Sequence, residues 1–144
     1  MINEDTIDLL RECNSGTQMA VYSIDEILEK INSPKLKELL QKSKQTHENL
    51  GQRLHDLLNS YGDENKEPNI FARGMSWMKT NLKLTMENSD RTCADLMTEG
   101  YNMGVKSLQR YLNQYGAADE TSKSIARELI AEEEQLTKEL KEYL

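Results

Sequence analysis

SIDEILEKINSPKLKELL, residues 23–40, decides the fold. Up to Ile31, apolar residues recur at three-, four- and seven-residue steps: Ile7, Leu10, Val21, Ile24, Leu28 and Ile31. That spacing puts them on one face of a helix. Asn32-Ser33-Pro34 then ends it, because proline disfavours helix at the residue before it and suits the first position of a new one. Leu36 and Leu40 open a second apolar stripe, which continues through Leu50, Leu54, Leu57 and Tyr61 to Gly62, placed as a left-handed cap. So short a connection makes the two helices antiparallel neighbours.

Working outward, GDENKEP at 62–68 is polar turn material without periodicity. A shorter helical stretch follows at about 69–87, and Asn88-Ser89-Asp90 offers cap residues for a fresh start. Ala94, Met97, Tyr101, Val105, Leu108, Leu112 and Tyr115 carry the next stripe, and Ile125, Leu129, Leu136 and Leu140 the last. No strand-like alternation occurs. The expectation is an all-α single domain over 1–144, with long helices at about 4–31, 34–61, 89–115 and 119–143. A crossover helix at about 69–87 would carry the chain back along the bundle, giving an up-down-down-up order.

Composition narrows the functional classes. Of 144 residues, 37% are hydrophobic and 30% charged, a balance suited to amphipathic helices with solvated outer faces. A formal net charge of −7 repels a phosphate backbone, so no nucleic-acid partner is expected. No apolar run approaches the roughly 20 residues of a membrane span, so no membrane partner is expected either. MINEDTIDLL lacks the layout of a signal peptide, which makes the cytoplasm the expected compartment. Cys13 and Cys93 show no metal or redox spacing and read as free thiols.

Each long stripe is broken once near the middle of its helix. The interruptions are Asn14 and Thr17 in the first, His47 in the second, Tyr101 in the helix at 89–115, and Glu133 in the last. In an antiparallel bundle, mid-helix residues share one level whichever way each helix points. Thr17, His47, Tyr101 and Glu133 are therefore expected to form a buried polar layer, satisfied internally as buried polar groups normally are. Di-metal carboxylate bundles use this height for a carboxylate on two helices and Glu-x-x-His on the other two. Here the positions three before His47 and His55 are Lys44 and Gln52, and helix one offers only Asn14, Ser15, Gly16 and Thr17. His47 and Glu133 are thus the sole candidate metal ligands, a degenerate site with too few donors for two hard cations. No other cofactor is called for.

ECNSGTQMAVYSIDEIL (12–28), HENLGQRLHDLL (47–58), ARGMSWMKTNLKL (72–84) and EGYNMGVKSLQRY (99–111) carry a resemblance. The chain resembles an uncharacterised bacterial ferritin-like four-helix-bundle family, related in shape to bacterioferritin and rubrerythrin. The resemblance implies a ferritin-like bundle. Where such relatives have a Gly-Glu pair in this helix, the sequence reads Gly100-Tyr101, a departure that weakens the implied di-iron site.

Between 69 and 87, Phe71, Met75, Met78, Leu82 and Met86 form one stripe, and Ile70, Trp77 and Leu84 a second on another face. The first would seat the helix. The second would serve as a homodimer interface, or pack under the 62–68 loop. Methionine at core spacing is ordinarily filler, though thioethers can hold Cu(I). With no nucleophile–base set and no phosphate loop, the chain does not read as an enzyme. Three roles stay open: a structural or interaction module, a metal-binding ferritin-like protein using His47 and Glu133, and a binder of a small apolar ligand between helices.

Overall fold

Side-chain oxygens open three of the described helices. The computed structural model describes residues 3–63 and 90–144. They form α1 (Glu4–Leu28), α2 (Pro34–Ser60), α3 (Asp90–Gln114) and α4 (Glu120–Leu140), with a 3₁₀ turn at Lys141–Tyr143. No strand occurs among the described residues. Asn3, Ser33 and Asp119 accept from the backbone N–H of Thr6, Leu36 and Ser122, taking up donors that the first turn of a helix leaves free. At the far end of α2, Gly62 adopts φ +78°, Gly62 N–H donates to Asn59, and Asp63 N–H donates to Leu58. This paired pattern closes a helix on a left-handed residue.

α1 ends at Leu28, three residues before the expected Ile31. Lys30 N–H donates to Ile27 and Ile31 N–H to Leu28, tightening the turn that leaves the helix. Asp90 accepts from Asn32 N–H at 2.7 Å and Ser33 N–H at 3.1 Å, holding the connection against the start of α3. Ile31 folds inward from that turn and is buried. The last helix likewise stops at Leu140, and its final turn tightens to 3₁₀. The expected crossover helix at 69–87, with Ile70, Trp77 and Leu84, lies outside the described residues.

The same hydrogen bonds orient the helices. Asp90 puts the start of α3 beside the α1–α2 turn. At the other end, Asn3 donates to the Ala117 carbonyl, Ala117 N–H to Asp5, and Asp119 N–H to Thr6 Oγ1, joining the start of α1 to the α3–α4 connection. Arg11 pairs with Asp63 there as well. α1 packs most extensively on α2 and α3 on α4, and α1 also touches α3 and α4.

The apolar interior falls into two clusters. One gathers Ile24, Ile27, Leu36, Leu40, Met97 and Leu140 at the α1–α2 turn end; the other gathers Leu9, Leu10, Leu54, Leu58, Ile125 and Leu129 at the opposite end. The inner face of α1 runs Leu10, Cys13, Thr17, Ala20, Ile24 and Ile27, in steps of three and four. Val21 and Leu28, expected on that face, are only half-buried, because the true stripe lies about one residue further round. Cys13 and Cys93 are free thiols buried in different clusters, so each is a small core hydrophobe.

Candidate functional site

Between the two clusters lies a polar level centred on His47 of α2, which is fully buried. Its position, seven residues from both Leu40 and Leu54, keeps it on the inner face. His47 Nδ1 stands 2.8 Å from the Ser43 carbonyl oxygen. A carbonyl only accepts, so Nδ1 carries the proton and Nε2 is the free position. Nε2 points at Glu133 of α4, 3.5 Å from Oε1. Ser43 Oγ also shares a 2.9 Å hydrogen bond with the Tyr101 hydroxyl, and the Tyr101 ring stacks on the imidazole with centroids 6.1 Å apart.

Burial opposes a charged imidazole, but Glu133, the Ser43 carbonyl and the nearby Glu132 charge outweigh it, so His47 holds its proton above the usual range. Burial raises the Glu133 carboxyl, against the pull of His47. His47 Nε2 and Glu133 Oε1 face each other at 3.5 Å and titrate as a coupled pair, so each shift depends on the state of the other group. Desolvation also pushes the Tyr101 hydroxyl well up, so it stays neutral. The Cys13 thiol, pushed up to about 12 by burial, is no nucleophile.

Of the residues expected in this layer, the structure brings His47, Tyr101 and Glu133 together. Thr17 is buried but bonds within its own helix, donating to the Asn14 carbonyl at 2.8 Å. Ser43 takes the bridging place instead. Its spacing, three after Leu40 and four before His47, was a signal available in the sequence. Gly104 of α3 is a second omission. A Cβ there would come within 2.6 Å of Glu133 Oε2, so only glycine leaves the carboxyl its position.

Beyond this level a cleft of about 400 Å³ opens between α1 and α3. Ser15, Gly16, Met19 and Ala20 form one wall, Gly100, Met103 and Gly104 the other, and Glu133 and Tyr101 lie at its inner side. Glu12 stands at one flank. Burial raises its carboxyl, opposed by a hydrogen bond to Tyr111. Glu133 Oε2 and Ser15 Oγ are buried and find no hydrogen-bond partner among the described residues.

Whether the pair suits the metal of a di-metal bundle depends on its donors. Among the described residues no group of three or more His, Cys, Asp or Glu stands together. One imidazole and one carboxyl, already paired with each other, fall short of the oxygen-rich set that hard cations require. The residues do not fit such a centre.

Among the described residues, fold and site define four long helices around a buried His47–Glu133 pair. No described helix is long and apolar enough to cross a membrane. The chain belongs to the family described as Domain of unknown function (DUF2383), whose profile matches residues 5–114. That match runs from α1 to the end of α3, covering His47, Ser43 and Tyr101 but not Glu133. No curated protein and no solved structure matches the chain.

Proposed function

We propose that this domain is a ferritin-like, up-down-down-up bundle that works as a structural or interaction module, not as a metal oxidase. The observation that carries the reading is the His47–Glu133 pair, which fills the level where a di-metal bundle holds its carboxylates. The end-to-end contacts of α1, α2, α3 and α4 support that helix order. Burying such a pair fixes which residues stand opposite one another, a use of interior polar groups that favours one register over another.

The partner surface we propose is the ridge Ile70, Trp77 and Leu84, joining two copies of the chain. Its seven-residue steps return to nearly the same side of a helix. Two buried free thiols suit a reducing compartment, and we place the protein in the cytoplasm. Protein purified without chelator should carry less than one equivalent of iron, zinc or copper, and should sediment as a dimer that Trp77→Glu converts to a folded monomer. Stoichiometric metal that resists dialysis, or a wild-type monomer at high micromolar concentration, refutes the corresponding half of the reading.

A further inference from the structure

We propose that the cleft between α1 and α3 binds a small amphiphilic cation, a primary ammonium on an aliphatic or aromatic body, with its head at Glu133. The volume, about 400 Å³, sits at the small end of the roughly 300–1,000 Å³ typical of ligand sites. Its walls are largely hydrocarbon and thioether, from Met19, Ala20 and Met103. Gly16 and Gly100 face open space, with no described atom within 4 Å of an added Cβ.

Charge selects the head group. Two carboxyl-bearing residues, Glu12 and Glu133, line the cleft, and no Lys, Arg or His does so among the described residues. An anion would be repelled, and a purely apolar molecule would leave Glu133 Oε2 and Ser15 Oγ without a partner. Glu133 turns its two oxygens to different sides: Oε1 faces His47, while Oε2 lies against Gly104 and lacks a hydrogen-bond partner among the described residues. A buried acceptor in that state costs free energy until a donor reaches it. An ammonium brings three donors and no acceptor, which matches Oε2 and the Ser15 hydroxyl oxygen. His47 completes the arrangement. Its Nε2 faces Oε1 at 3.5 Å, on the side of the carboxyl away from the cleft.

Calorimetric titration of the full chain with n-hexylammonium, n-hexanol and hexanoate tests this. The ammonium should bind saturably at one site, about tenfold or more tighter than the alcohol, as expected for a charge-assisted hydrogen bond. Hexanoate should bind more weakly than either. Gly100→Leu fills the cleft and improves helix propensity, so it should abolish binding while the protein stays folded. Gly16→Leu does the same from the other wall should Gly100→Leu misfold. Glu133→Gln should bring the ammonium and the alcohol to similar affinity. Equal binding of ammonium and alcohol by the wild type, unchanged binding in a folded cleft-filling variant, or no saturable binding of any probe overturns the proposal.

Discussion

At Gly51, on the face of α2 that meets α1, an added Cβ would stand 3.2 Å from Thr17 Oγ1. At Gly16 and Gly100, on the walls between α1 and α3, it would meet no described atom within 4 Å. The same residue type therefore serves opposite ends. Between α1 and α2 it lets two backbones approach and closes the interior. Between α1 and α3 it withholds side chains and leaves a cleft. Gly104 joins the two regions: it faces the cleft, yet its missing Cβ makes room for the Glu133 carboxyl that pairs with His47. The contrast is one of packing, since helix propensity treats all four glycines alike.

Breaking the junction should have the largest effect. His47→Leu leaves Glu133 buried without its partner and should cost about 3–5 kcal/mol at neutral pH, the range for a broken buried pair. Replacing both residues by leucine should cost less than the sum of the two single changes, since the two act as a unit. Denaturant midpoints of the four proteins measure this, and strict additivity would mean that the contact carries no energy.

Gly104→Ala comes next. Its methyl group would overlap the Glu133 carboxyl, and overpacking of that kind costs about 1–3 kcal/mol. Gly16→Ala and Gly100→Ala should move the other way, each gaining about 0.5–1 kcal/mol from helix propensity in space that accepts a methyl. Gly51→Ala should lie near zero, because its tight contact with Thr17 offsets the same gain. This ordering, read from one denaturation series, is specific to the packing described. Four equal stabilisations would erase the distinction between the two regions.

Part of this arrangement was legible in the sequence. Ser33-Pro34 and Gly62 mark helix ends through chemistry local to each residue, so their neighbours suffice to read them. The levels of His47 and Glu133 could be read from their distances to flanking leucines, because helical rise is constant. The tie between the α1–α2 connection and α3 could not be, since Asp90 reaches Asn32 and Ser33 from a segment remote in sequence. Nor could the cleft. Periodicity shows which face of a helix turns inward but not how closely two helices approach, and Gly16, Gly100 and Gly104 read only as weak helix formers. Thr17 illustrates the same limit: its inward face was predictable, but its hydroxyl is satisfied within its own helix.

The central claim is that the mid-height level holds a coupled imidazole–carboxyl pair and not a metal. A ¹⁵N titration of the His47 ring nitrogens, with and without one equivalent of zinc, tests it most directly. The folded histidine is raised above its ordinary 6.5. Stability from the raised histidine is thus full below about pH 6.5 and declines as the pH rises through the folded value. The raised Glu133 acts in the same direction but from its own ordinary 4.5 upward, since its proton too is held more tightly in the folded chain. The account predicts that Nδ1 stays protonated throughout, that Nε2 loses its proton only above pH 6.5, and that zinc leaves both resonances in place. Loss of the Nε2 proton below pH 6.5, or a stoichiometric shift on adding zinc, would contradict it.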